Sequence, residues 1–190
     1  MVYIFLADGF EECEAIAPVD MLRRAGADAV TVKVSQGSRL PGKTAAGSHD
    51  IFIEADISEG EMELEKISMI VLPGGMPGTD NLFNSPAVKE AVEHCVKNSL
   101  PIGAICAAPS ILARWGYLKN KTATAYPSFK RYLTENGAFL GDSSAKMRVV
   151  TDGIFTTAEA AGASLDFALE LVSVLKGKDA SEKIAQQIVR

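Results

Sequence analysis

Apolar residues along this chain fall into two alternating patterns. Some stand in short continuous runs: VYIFLA at 2–7, VTVKV at 30–34, MIVL at 69–72 and LPIGAI at 100–105. Runs of this length, bounded by Gly, Pro, Asp or Ser, predict buried strands. Between them the apolar positions recur every three or four residues. In 12–25, Ile16, Val19 and Leu22 share one helical face and Gly26 closes the helix; in 85–98, Val88, Ala91, Val92 and Cys95 form a second stripe. Helices are also expected at 107–115, after Pro127, at 163–176 and at 180–189. A short strand is expected near 122–125, and KMRVVTDGIFTTA at 146–158 reads as a hairpin.

Two segments break this rhythm. QGSRLPGKTAAGSHDIFI at 36–53 is rich in Gly and Ser and ends in alternation, as a small antiparallel excursion would. Residues 59–67 are dense in Glu and predict a helix with a solvated acidic face. Strands alternating with helices, without repeat or linker, imply one domain over 1–190. Its class is an α/β three-layer sandwich, a mostly parallel sheet with helices on both faces. In such folds ligand chemistry collects at the carboxyl ends of the strands. That singles out 8–14, 73–80 and Cys106.

A net charge of −5 and the lack of any dense Lys/Arg run argue against a nucleic-acid partner. No apolar run approaches the roughly 20 residues a membrane span needs, and the first run is too short and lacks the basic flank of a secretory leader. Cys13, Cys95 and Cys106 form no CxxC pair and fit a reducing, cytoplasmic setting. No His/Cys cluster suggests a metal, and no cofactor is expected.

Cys106 stands where a strand hands over to a helix with no loop between, the geometry of a nucleophile elbow. Unpaired N–H groups and the helix dipole there would lower the thiol pKa below its usual value of about 8.5. A cysteine among apolar residues is also commonly a small buried hydrophobe, and pattern alone leaves both readings open. Cys95, inside a helical stripe, reads as packing. The PGGMPG loop at 73–78 offers backbone N–H groups and close approach. Of the glutamates in DGFEECEA, Glu11 and Glu12 read as charges complementing a helix start. Glu14, if buried against the thiol, would have a raised pKa and could donate to a thiolate.

The segments GFEECEAIAPVDMLRRAG, VLPGGMPGTDNL, AICAAPSIL and GASLDFALELV occur in that order. Together they resemble the ThiJ/PfpI superfamily in its DJ-one branch, over nearly the whole chain. The resemblance implies a flavodoxin-like fold, a reactive Cys106, a protonated Glu14 beside it, and backbone donors at Gly75 and Ala107. It also implies a pocket with Gly74, Tyr126 and Pro127, and a homodimer formed through the first helix. Protease-like members carry a histidine after the elbow cysteine, where Ala107 stands here, and no histidine follows His94 for an amidotransferase-type pair. Tyr126 takes the place of a pocket histidine, and Glu159 that of a rim arginine.

The activities so implied are a glutathione-independent glyoxalase or deglycase acting on methylglyoxal or its adducts, with Cys106 as nucleophile and Glu14 as proton shuttle. A redox sensor or chaperone using oxidation of Cys106 is the alternative on the same residues. A thiazole-biosynthesis role has no residue-level support.

Overall fold

Each long apolar run becomes a strand of one sheet. The computed structural model describes residues 1–141 and 148–190. In chain order the elements are β1 (Val2–Leu6), α1 (Glu12–Arg24), β2 (Ala29–Lys33), β3 (Thr44–Ala46), β4 (Phe52–Glu54), β5 (Ile57–Ser58), β6 (Met69–Leu72), α2 (Gly78–Asn84), α3 (Pro86–Lys97), β7 (Ile102–Ile105), α4 (Pro109–Arg114), β8 (Thr122–Ala123), α5 (Lys130–Glu135), β9 (Phe139–Leu140), β10 (Val149–Asp152), β11 (Phe155–Ala158), α6 (Ser164–Lys176) and α7 (Lys178–Gln187).

The main sheet runs β10, β11, β7, β6, β1, β2, β5, and every neighbour is parallel except the β10–β11 hairpin. Side chains on a strand alternate between faces, and both faces here are covered. Tyr3, Phe5, Ile70 and Leu72 pack with Val88, Val92 and Cys95 of α3. Ile4, Leu6, Met69 and Val71 pack on the other side with Val19 and Leu22 of α1 and Phe167 and Leu171 of α6. This is why the strands read as continuous apolar runs. Gly103 of β7 lets α6 approach closely: a Cβ there would lie 2.8 Å from Leu171 Cδ2. Burying side chains such as Phe167 or Leu171 contributes roughly 1.5–3 kcal/mol each.

The architecture is the expected α/β sandwich with a mainly parallel sheet. Several local expectations change. Residues 59–67 form two 3₁₀ turns, Glu59–Glu61 and Leu64–Lys66, and not an α-helix. The Ser58–Glu61 capping box closes the first turn, and Met62 then leaves it in extended conformation. The strand near 122–125 is the short β8, which pairs with β9 in its own two-stranded ladder. The excursion at 36–53 yields the antiparallel β3–β4 pair. Lys146 and Met147 of the expected hairpin lie outside the described residues; the remainder turns at Gly153, whose φ is 64°.

Candidate active site at the end of β7

The carboxyl ends of β1, β6 and β7 meet where three loops converge. Cys106 follows β7 directly and has a φ of 65°, a left-handed conformation that non-glycine residues rarely adopt. Two backbone bonds hold it there. Its N–H donates to the Ala158 carbonyl at 2.9 Å, and its carbonyl accepts from Tyr126 N–H at 2.8 Å. Helix α4 starts only at Pro109, so a turn at 106–108 separates the cysteine from the helix. The sequence expectation of a helix beginning at 107 is corrected by that turn, which the left-handed cysteine requires.

Glu14 lies in the first turn of α1 and is 1% exposed. Its Oε2 accepts from Gly74 N–H at 3.0 Å, while Oε1 is buried without a hydrogen-bond partner of ordinary geometry. Burial pushes this carboxyl up to about 7, although the Cys106 thiol and the Gly74 N–H pull it down. Gly74 is wedged between the two groups. A Cβ on it would lie 2.6 Å from Glu14 Oε2 and 2.7 Å from Cys106 Cβ. Gly75, with a φ of 89°, passes so close to the backbone nitrogen of Glu11 that a side chain could not fit. The PGGMPG loop therefore owes its glycines to close approach, and its Met76–Pro77 peptide is cis.

The Cys106 thiol is half-buried, and burial is the main reason that it is pushed up to about 12. The charge of Glu14 and its hydrogen bond raise it further, while the N–H groups of Ala107 and Gly75 act in the opposite direction. This corrects the expectation of a thiol acidified by its elbow position. A carboxylate beside a buried sulfur opposes a second negative charge, so thiol and carboxyl titrate as a pair that holds one proton near neutrality.

The structure thus brings Cys106, Glu14, Gly74, Gly75 and Ala107 together. Tyr126 and Pro127 adjoin them through the backbone bond to Cys106 and line a cleft of about 330 Å³ with Arg148 and Glu159. Tyr126 is 45% exposed. Glu159 is not a bare rim charge: its Oε1 accepts from Lys130 Nζ at 2.7 Å.

Glu12 stands in the first turn of α1, as its reading as a helix-start charge expects, and it has a second set of partners. It is buried, and it accepts from His49 N–H at 2.7 Å and meets His49 Nδ1 at 2.8 Å. Those two His49 contacts hold its carboxyl below the usual range despite burial. Glu11, Glu12 and His49 form a group able to hold a metal ion among the described residues, with Ser48 Oγ bonded to both glutamates. Sequence reasoning also missed the ion pair between Asp8 and the buried Lys33 of β2. A lysine inside the apolar run VTVKV is the signal that could have found it, since lysine is almost never fully buried unpaired.

With the geometry in hand, comparison with known proteins is specific. The sequence profile described as the DJ-1/PfpI family matches residues 1–174. The chain is 33% identical to Protein dj-1beta of Drosophila melanogaster over 186 residues, covering 98% of this chain and 95% of that protein. It is 30% identical to the Caenorhabditis elegans protein named glutathione-independent glyoxalase DJR-1.2, covering 94% and 89% of the two chains. The structure of oxidized Toxoplasma gondii DJ-1 superposes with a TM-score of 0.88 at 31% identity, covering 99% of this chain and 97% of that one. Coverage on this scale includes every loop that builds the site, and the chain belongs to the DJ-1/PfpI family.

Proposed function

We propose that the protein is a cysteine-dependent glyoxalase or deglycase that acts on small α-oxoaldehydes such as methylglyoxal, or on their adducts, without glutathione. The observation that carries this reading is the buried carboxyl of Glu14 set against Cys106 across Gly74. With Glu14 holding the shared proton, Cys106 is a thiolate facing the N–H groups of Gly75 and Ala107. The thiolate adds to the aldehyde carbon, and Glu14 gives its proton to the oxygen, leaving a hemithioacetal and a carboxylate. That carboxylate removes the proton from the former aldehyde carbon while the adjacent ketone oxygen takes up a proton, giving an enediol; the proton held by Glu14 then goes to the adjacent carbon as the first hydroxyl gives up its own proton and becomes the thioester carbonyl. The product is a thioester of the hydroxy acid, which water hydrolyses to release the acid and restore the thiol. Buried Oε1, without another partner, is the oxygen suited to both transfers. The name of the Caenorhabditis elegans relative agrees with this chemistry.

The same atoms support a second reading, oxidation of Cys106 by peroxide. The thiolate takes one oxygen to become a sulfenate, releasing water, and a second peroxide gives the sulfinate. Its oxygens would meet the Glu14 proton and the two backbone N–H groups. The oxidized Toxoplasma gondii relative makes this reading worth carrying.

The partner is a small carbonyl compound, together with a second copy of the chain. Ile16 and Leu165 line an apolar groove of about 500 Å³ along α1 with Ile51 and Ile53. Among the described residues no helix is long and apolar enough to cross a membrane, and the three free cysteines suit a reducing cytoplasm.

Turnover of methylglyoxal to lactate by the purified protein, without glutathione, tests the proposal. Glu14→Gln should lower the rate by about 10²–10⁴, and Cys106→Ser should abolish it. Turnover that survives in Cys106→Ser would reject the enzyme reading, and rapid peroxide oxidation of a protein with no turnover would favour the sensor.

A further inference from the structure

The order of the main sheet reverses between β1 and β6: β2 and β5 lie on one side of β1, and β6, β7, β11 and β10 on the other. Open α/β sheets take ligands at the carboxyl ends of the strands that flank such a reversal. A cleft of about 610 Å³ opens there, within the range of small-molecule sites, and neither Cys106 nor Glu14 lines it. Asp8 and Gly9 enter it after β1, and Met76 and Pro77 after β6.

One residue holds the walls of this cleft together. The Asp8 carboxylate accepts from Lys33 Nζ, Ser38 Oγ, Arg39 N–H and Ala46 N–H, and the Asp8 carbonyl accepts from Asn81 Nδ2 at 2.9 Å. The loop after β2, strand β3 and helix α2 are thus tied to the end of β1, and the cleft is preorganised. Lys33 balances the charge of Asp8. Arg39 is then the remaining charge of the lining; it is exposed, and it forms no ion pair among the described residues.

Two large apolar side chains share the lining with that cation. Phe52 is 60% exposed and Met76 45%. Side chains alternate along an extended segment: Ile51 and Ile53 turn into the groove along α1, whereas Phe52 turns into this cleft. A second copy of the chain seated in the α1 groove therefore does not account for the exposure of this ring.

We propose that this cleft is a second ligand site, for a planar aromatic ring that carries an anionic group. The ring lies against Phe52 and the Met76 thioether, both favourable contacts for an aromatic face or edge. The anion meets the planar fork of the Arg39 guanidinium. The site goes beyond the chemistry of Cys106 and does not depend on it.

Benzoate, benzyl alcohol and acetate test it, since benzoate has both ring and anion and the other two have one each. Titrations of the purified protein, followed through the amide NMR signals of Gly37, Phe52 and Asn81, report binding in the cleft. Benzoate should move all three signals and bind about tenfold more tightly than either half, the scale of one charge-assisted hydrogen bond. Arg39→Gln should weaken benzoate about tenfold and leave benzyl alcohol unchanged. Phe52→Ala should weaken both aromatic probes and leave acetate unchanged. A variant that had lost its fold would lose every probe, so the two contrasting patterns separate recognition from misfolding. Cys106→Ser should bind benzoate as the wild type does. Signals that benzoate leaves in place, or affinities within about twofold of wild type in both variants, would overturn the proposal. So would loss of benzoate binding in Cys106→Ser, which would move the ligand to the thiol. None of these results bears on turnover of methylglyoxal, so the two readings fail separately.

Discussion

The stripe of α3 carries a buried cysteine and the turn after β7 a half-buried one, and the two environments differ in kind. Cys95 is fully buried among the apolar residues of one core layer, and burial alone pushes its thiol up to about 12. Cys106 is pushed up to about 12 as well, first by burial, but it also faces Glu14 and the N–H groups of Ala107 and Gly75. Burial without partners leaves a thiol protonated and inert. Burial with a carboxyl that is itself pushed up to about 7 leaves a proton to be divided between two groups, and donors to receive the charge when it falls on sulfur. The reactive position is distinguished by its neighbours and not by its accessibility alone.

The sharpest way to expose that difference is through the pH dependence of stability. Folded Glu14 keeps its proton up to about pH 7, whereas the unfolded carboxyl loses it near its ordinary value of 4.5. Between those values the folded state binds the extra proton, so stability falls as pH rises and the loss is complete above the folded value. The shift corresponds to roughly 3 kcal/mol at most. Glu14→Gln should remove that slope, and urea unfolding at pH 5 and pH 8 measures it. An equal slope in wild type and variant would place the titrating group elsewhere.

Gly74→Ala comes next. The new methyl would press on Glu14 Oε2 and Cys106 Cβ together, separating the groups that share the proton. Turnover should fall at least about a hundredfold, the scale of an ångström of misplacement. Gly60→Ala, where a Cβ meets nothing, should leave turnover unchanged. Activity retained in Gly74→Ala would show that the contact across Gly74 is not needed.

The layout of the sheet was legible because β1, β2, β6 and β7 declare themselves as apolar runs, whereas the buried β11, FTTA, showed only as part of a hairpin; Cys106 stood out because it ends one of the runs. The turn that separates it from α4 was not legible, since a left-handed cysteine leaves no periodic trace. Glu14 could be proposed from its place after the first strand, but its burial could not be told from that of Glu12, which shares the same helix start. Both prove buried, one against a thiol and the other beneath His49. The Lys130–Glu159 pair joins residues 29 apart in sequence, and a local pattern holds no record of such a meeting. The acidic stretch at 59–67 misled in the other direction: helix-forming glutamates lost to a capping box that closes after one turn.

Smaller effects sharpen the comparison from the α3 side. Cys95→Ser puts a hydroxyl among apolar side chains and should cost about 1–3 kcal/mol of stability, with turnover unchanged in the folded protein. A thermal melt and a rate measured well below the midpoint check both parts. Loss of turnover in that variant would mean that the two cysteines are not independent.

Tyr126→Phe should have the least effect. Its backbone N–H bonds to the Cys106 carbonyl, a contact the substitution keeps, and its side chain lines the neighbouring cleft. If the hydroxyl orients substrate, kcat/KM falls by about 1 kcal/mol, the worth of one hydrogen bond. Unchanged kinetics would assign the ring to lining the cleft, whereas a loss of roughly four orders of magnitude would require a different assignment of the proton carrier.

The claim that Cys106 and Glu14 share one proton is tested most directly by iodoacetamide labelling of Cys95 and Cys106 against pH, read by peptide mapping. Cys106 should show a first rise centred near pH 7, where the pair loses its first proton, and a second in strongly alkaline solution. Cys95 should stay unlabelled until the protein unfolds. Equal labelling of Cys95 and Cys106 at neutral pH, or a Cys106 profile that stays flat through pH 7, would contradict the account.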